Sequence, residues 1–238
     1  MLLDVGGTLW PDRWPGCPDD IETRAAALAA AIPRLSREST GRLVDLLEER
    51  SAKLKGALFQ DTNALVQAAA VAAGLAVSDW ELTAIRRAMC LPAIGRVELF
   101  PRGRELLATI KALGLRCVVV SNGAWRDGAA YRRDFADLGI DSFVDGVVTS
   151  ADLGFRKPHP GVFEAALGTM RLPAPACAML GDSERNDIEP ALACGMRAVR
   201  VAAEAPRPSS SAAHAIAGSL HEAAAILRSW VWTETGDG

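Results

Sequence analysis

Met1-Leu2-Leu3-Asp4-Val5-Gly6-Gly7-Thr8-Leu9 opens the chain. Three apolar residues read as a short buried strand, which ends on a carboxylate followed by two glycines and a threonine. A carboxylate at that point lies on the C-terminal edge of a sheet, where open α/β folds bind their ligands. Glycines beside it let backbone N–H groups approach an anion closely. Only three residues precede Asp4, so the first strand is expected to extend upstream of Met1.

Working outward, two kinds of sequence alternate. Residues from about 19 to 90 read as helix only. Ile21 to Ile32 is alanine-rich and apolar, and Leu43, Leu46 and Leu47 recur at helical spacing. Asp61-Thr62-Asn63 starts a helix over Ala64 to Ala73, and Ser78-Asp79 starts another over Trp80 to Met89. Gly56 to Asp61 is the most loop-like stretch within this part. From Leu99 onward strands and helices take turns. A helix runs from about Phe100 to Leu113, and Leu115 to Val120 reads as a buried strand. A helix over Tyr131 to Leu138 precedes a strand over Phe143 to Val148. A helix over Val162 to Met170 precedes a strand over Ala176 to Leu180. The helix Ile188 to Cys194 precedes a last strand over Arg197 to Val201, and Leu220 to Trp230 forms a terminal helix. Pro206 to Ser211 is a polar loop.

Strands alternating with helices predict a parallel sheet with right-handed crossovers. The fold class is therefore α/β, a doubly wound parallel sheet with an inserted all-helical cap. The core is expected over residues 1–12 and 96–238, and the cap over 13–95.

Four polar clusters follow four of the predicted strands. They are Asp4, then Ser121-Asn122-Gly123, then Gly154-Phe155-Arg156-Lys157-Pro158, then Gly181-Asp182-Ser183-Glu184-Arg185-Asn186-Asp187. Parallel strands end on one edge, so the clusters converge on one pocket. Their chemistry suits phosphate. Several carboxylates suit Mg²⁺, a hard cation. A serine hydroxyl and neighbouring N–H groups can hold phosphate oxygens, and a lysine neutralises charge. A carboxylate can attack phosphorus to give an aspartyl phosphate.

The order and spacing of these four clusters resemble the haloacid dehalogenase superfamily of phosphatases and related hydrolases. The helical insert between the first and second clusters resembles that family's C1 cap. The resemblance implies a Mg²⁺-dependent hydrolase of a small phosphorylated substrate. It implies Asp4 as nucleophile and metal ligand, and a metal-ligating backbone carbonyl at Gly6. Ser121, with Asn122 beside it, would bind the substrate phosphate. Lys157 would be the catalytic lysine and Asp182 an acidic metal ligand. Asp187 would be a second ligand or stand behind the first, with a plain helix cap at Ile188 as its other reading.

One position departs from the family. Its phosphatases carry an acid two residues after the nucleophile, which protonates the leaving alcohol and then activates water. Such help is worth ~10²–10⁴-fold. Gly6 has no side chain for it, so turnover is expected to be weak. Two branches that lack this acid keep a C–P or C–halogen hydrolase open on the same scaffold. A non-catalytic phospho-ligand-binding protein is a third reading. Dehalogenases usually lose the acidic metal ligands, which Asp182 and Asp187 retain. C–P cleavage needs a cap lysine, and Lys53 and Lys55 stand in a charged run that reads as a solvated helix face.

The remaining candidates have plainer readings. Asp12, after Trp10-Pro11, reads as a turn residue rather than a displaced acid/base. His159 reads as a loop residue. Trp10, Trp14, Trp80 and Trp125 read as packing. Arg126 and Arg132-Arg133 read as a solvated face, with Arg126 able to reach an anionic substrate.

Composition narrows the partners. The chain has 238 residues, half of them hydrophobic, and a net charge of -3. No basic stripe suggests nucleic acid, and no apolar run is long enough for a membrane span. The N-terminus lacks the pattern of a secretory signal, and a cytoplasmic protein is expected. Five cysteines are scattered without a C-x-x-C pair, and three of them sit in apolar contexts, which suggests buried apolar residues rather than a zinc site.

Overall fold

Strand β1 (Leu2–Leu3) lies at the centre of a sheet with order β3-β2-β1-β4-β5-β6. Its neighbours are β2 (Val118–Ser121) and β4 (Ala178–Gly181), flanked by β3 (Gly146–Thr149), β5 (Arg197–Val201) and β6 (Ala215–Ala217). All the strand pairs run parallel. The computed structural model describes residues 1–12, 21–54, 58–59, 61–93, 95–203 and 206–234.

Side-chain alternation splits the core about this sheet. Leu3, Val119, Leu180 and Val199 face one layer, with Leu106 and Ile110 of α5 (Gly103–Ala112), Phe135 of α6 (Gly128–Asp137) and Leu227 of α10 (Leu220–Glu234). Leu2, Val118, Val120 and Met179 face the other, against Val162, Phe163 and Met170 of α8 (Pro160–Met170). Both faces of the central strands are thus dry. That is why they read as unbroken apolar runs.

Helices α1 (Ile21–Ala31), α2 (Arg37–Ala52), α3 (Thr62–Ala72) and α4 (Asp79–Met89) enclose a core of their own. Leu28, Ile32, Leu43, Leu47, Val66, Ile85 and Met89 meet there. Asp61 caps α3 by accepting from the Ala64 N–H at 2.9 Å. Ser78 and Glu81 close a capping box on α4. Two seams tie these helices to the sheet. The Arg156 N–H donates to the Leu58 carbonyl at 2.8 Å, beside a bridge between Phe59 and Phe155, and the Thr62 hydroxyl donates to the Ala124 carbonyl.

Several elements differ from expectation. β2 starts at Val118, because Leu115 to Cys117 only lead into the sheet. β3 starts at Gly146, since Asp141–Phe143 form a 3₁₀ turn. The helix expected at Tyr131 begins three residues earlier, capped by Asp127 accepting from the Ala130 N–H. Ahead of α9 (Glu189–Ala193) a π-turn spans Glu184–Ile188. The short strand β6 was not expected at all. Two short helical stretches remain, α7 (Ser150–Leu153) and a 3₁₀ turn at Ala174–Ala176.

Candidate active site

The C-terminal ends of β1, β2 and β4 bound a cleft of roughly 480 Å³. Its lining holds every sequence-predicted site residue: Asp4, Gly6, Ser121, Asn122, Lys157, Asp182 and Asp187. Arg24 and Met89 contribute from α1 and α4.

Lys157 is the hub. Its ammonium donates to Asp4 Oδ1 at 2.6 Å, to Asp187 Oδ1 at 2.6 Å and to the Val120 carbonyl at 2.9 Å. An ammonium has three donors, so the three acceptors saturate it. The side chain is 2% exposed. Burial alone would lower its pKa, but the charges and hydrogen bonds of Asp187 and Asp4 together raise it, so it stays charged. The Asn122 side chain fixes its main chain from both ends. The amide N–H of Asn122 donates to the Lys157 carbonyl at 2.9 Å, and its Oδ1 accepts from the Lys157 N–H at 2.9 Å. Asn122, expected to touch substrate, lines the cleft, and these two bonds also make it a clamp on the lysine.

Asp4 sits where β1 ends, with its N–H bonded to the Leu180 carbonyl of β4. Lys157 holds one of its oxygens and the Thr8 hydroxyl reaches the other at 3.2 Å. Thr8 also approaches Asp182 Oδ1 at 3.5 Å. Oxygens of Asp4, Asp182 and Asp187 lie within 4.8 Å of one another. Asp187 does not cap the following helix. That helix starts from Ile188 without a side-chain cap, and Ser183 caps the π-turn before it, accepting from the Asn186 N–H, while Asp187 Oδ2 accepts from the Ser183 N–H at 3.0 Å. Burial pushes the Asp182 carboxyl up to about 7, helped by the negative charges of Asp4 and Asp187. Burial also raises Asp187, against the pull of Lys157.

Gly7 makes this approach possible. Its φ is +74°, and a Cβ there would lie 2.6 Å from Asp182 Oδ2. A side chain at position 7 would therefore be strained and would push Asp182 away from Asp4.

Ser121 is buried, and its hydroxyl shares a 2.6 Å hydrogen bond with the Tyr131 hydroxyl. Burial pushes the Tyr131 phenol up. The Tyr131 ring stacks on Trp10 at 6.0 Å, so Trp10 both packs and backs the cleft. Thr8 and Tyr131 escaped the sequence reading. Thr8 stands inside the quoted opening stretch and could have been found there, but nothing local links Tyr131 to Ser121.

Other expectations change. Arg126 is no solvated residue: it pairs with the buried Asp134, donates to the Leu91 carbonyl at 2.7 Å and lies over the Tyr131 ring. His159 is the N-cap of α8, its ring accepting from the Gly161 N–H. Lys53 is exposed, pairs with Glu49 at 2.7 Å, and is absent from the cleft lining. Lys55 and Trp14 lie outside the described residues. The thiols of Cys90, Cys117, Cys177 and Cys194 are unpaired, and burial raises the pKa of each. Among the described residues no helix is long and apolar enough to cross a membrane.

The glyceraldehyde 3-phosphate phosphatase of Methanocaldococcus jannaschii is 34% identical over 106 residues, 43% of each chain. The alignment thus spans less than half the length of that relative. Two crystal structures superpose over nearly the whole chain. The 2-haloacid dehalogenase of Pseudomonas syringae pv. Tomato DC3000 covers 96% of this chain and 97% of its own, with a TM-score of 0.64 at 22% identity. A phosphatase of Thermococcus onnurineus covers 95% and 96%, with a TM-score of 0.60 at 19% identity. At such identities these two bear on the fold alone. The sequence model described as "haloacid dehalogenase-like hydrolase" matches residues 1–195, which takes in β1 to β4 and the whole acidic cluster. On that match, this chain belongs to the haloacid dehalogenase-like hydrolases.

Proposed function

We propose that the chain is a Mg²⁺-dependent phosphatase of a small phosphorylated metabolite, acting through an aspartyl phosphate on Asp4. One observation carries this reading: a buried lysine holds one oxygen of Asp4 while Asp182 and Asp187 stand within 4.8 Å. Residues 1–12 and 96–238 would form the catalytic core, and residues 13–95 a cap over it.

The donor set fits a divalent ion. Three carboxylates face one ammonium, leaving an excess of negative charge in a mostly buried site, and burial with that charge already lifts Asp182 to about 7. Hard oxygen donors of this kind suit Mg²⁺. Asp4, Asp182, Asp187 and the Gly6 carbonyl would hold it. When bound, it would neutralise phosphate charge and help orient the phosphoryl group.

The chain's own groups account for the rest. The hydrogen bonds from Lys157 and Thr8 fix the rotamer of Asp4, so its carboxylate is pre-aimed for in-line attack. The attack forms an O–P bond, and the bond to the leaving oxygen breaks with its electron pair. Lys157 balances charge on Asp4. Ser121, held by Tyr131, offers its hydroxyl to a phosphate oxygen. Gly6 brings no proton donor, so the leaving oxygen must find one elsewhere in the cleft.

The exposed, ion-paired position of Lys53 gives C–P cleavage by that lysine no support. Metabolite phosphates assayed with and without Mg²⁺, beside Asp4→Asn, test the proposal. Mg²⁺-dependent phosphate release that Asp4→Asn abolishes is expected. Full activity in Asp4→Asn would end the covalent route. Mg²⁺-dependent binding of phospho-ligands without release would replace it with a binding role.

A further inference from the structure

The loop after β1 doubles back on itself. The Gly7 N–H donates to the Trp10 carbonyl at 2.8 Å, and Gly6 forms a bridge with Trp10. The Leu9 carbonyl accepts from the Phe100 N–H at 2.8 Å, and Trp10 is buried against Tyr131. Pro11 comes next, its ring fixing φ. Asp12 thus leaves a pinned segment, and it lines the same cleft as Asp4 and Gly6. A Cβ built on Gly6 would lie 2.8 Å from Asp12 Oδ1. The Asp12 carboxylate therefore occupies the space into which a side chain at position 6 would grow.

Other ionisable groups of the lining already carry roles, Asp4 and Asp182 as members of the acidic cluster. Lys157 is saturated by three acceptors. Tyr131 is tied to Ser121, and burial pushes up both its phenol and the Cys90 thiol. Asp187 is held by Lys157 and the Ser183 N–H. Asp12 is the carboxyl in the lining that stands outside the acidic cluster.

We propose that Asp12 is the general acid and base of this site, replacing from six residues along the chain the side chain that Gly6 lacks. The inference rests on the phosphatase reading. As Asp4 attacks phosphorus, the breaking P–O bond gives its electron pair to the leaving oxygen, which takes the Asp12 proton and departs as the alcohol. The Asp12 carboxylate then removes a proton from water as that oxygen attacks phosphorus. The Asp4–phosphorus bond breaks back to the Asp4 carboxylate, phosphate leaves, and Asp12 is again protonated. The turn-residue reading of Asp12 gives way, because the pinned loop brings its carboxyl to the cleft.

The leaving group supplies the test. Phenyl phosphate needs a proton for its poor leaving group and 4-nitrophenyl phosphate hardly does. Asp12→Asn is expected to lower kcat/KM on phenyl phosphate by roughly 10²–10³-fold, and on 4-nitrophenyl phosphate by less than about tenfold. Phosphate should also persist on Asp4 in quenched samples of the variant. Gly6→Asp alone crowds Asp12 and should not exceed the parent. In Asp12→Ala, where the oxygen is gone, Gly6→Asp should restore phenyl phosphate turnover. An equal loss on both substrates, or none, would overturn the role of Asp12 while Asp4-dependent release leaves the phosphatase reading standing. No Asp4-dependent release from either substrate would end both.

Discussion

Lys157→Met removes the buried cation and keeps much of its volume. Two carboxylates, Asp4 and Asp187, lose their partner at side-chain exposures of 9% and 1%. Breaking a buried ion pair from one side costs about 3–5 kcal/mol. For a chain of this length each kcal/mol moves Tm by roughly 2–4 °C, so the metal-free variant should melt about 6–20 °C below the parent near pH 8. The carboxylates can answer by taking up protons. In the folded variant they hold protons that the unfolded chain, with ordinary carboxylate pKa values of about 4, has already released. Stability of the variant therefore falls as pH rises. Each pH unit downward returns about 1.4 kcal/mol per proton bound. Moving from about pH 8 to about pH 6 should thus recover roughly 2.7 kcal/mol for one proton. Paired melts of the two proteins in EDTA at both pH values measure this. A variant that melts within a degree or two of the parent, or a deficit that is the same at both pH values, would refute the buried cluster.

Asn122→Ala deletes two bonds to the Lys157 main chain and should cost roughly 1–3 kcal/mol. Turnover should drop more than substrate binding, which a comparison of kcat with KM would show. Tyr131→Phe frees the Ser121 hydroxyl and should raise KM several-fold, about 1 kcal/mol. In a double-mutant cycle with Ser121→Ala the two losses should not add; additive losses would separate the hydroxyls. Asp182, lifted to about 7, holds a proton in the folded metal-free chain that the unfolded chain has lost. Metal-free stability should then fall as pH rises between about 4 and 7, and Mg²⁺ must displace that proton. The Mg²⁺-induced rise in Tm should be larger near pH 8 than near pH 5.5, and an equal rise would count against Asp182 as a ligand.

The centre of the fold was legible because its physics is local. Val118, Val119 and Val120 read as a strand since parallel strands are apolar on both faces. The polar residues just beyond Asp4, Ser121 and Asp182 could be assigned to one edge because parallel strands share one end. β6 was missed because Ala-Ile-Ala is short and weakly β-forming, and its partner β5 supplies the order. Tyr131 was missed, and Arg126 reads as solvated, for a different reason. The first meets Ser121 only when α6 packs on the sheet. The second reads as a surface charge until Asp134, in the second turn of α6, is brought beneath it. Asp12 reads as a turn residue, and no spacing rule reveals that its oxygen lies 2.8 Å from the Cβ position of Gly6.

Rapid-quench labelling tests the central claim most directly. A metabolite phosphate labelled in its phosphoryl group is mixed with the Mg²⁺-loaded protein, quenched in acid and mapped by peptide mass spectrometry. The account predicts transient phosphate on the peptide carrying Asp4, absent from Asp4→Asn. Phosphate release at full rate with the label never on that peptide, or label found on another residue, would contradict it.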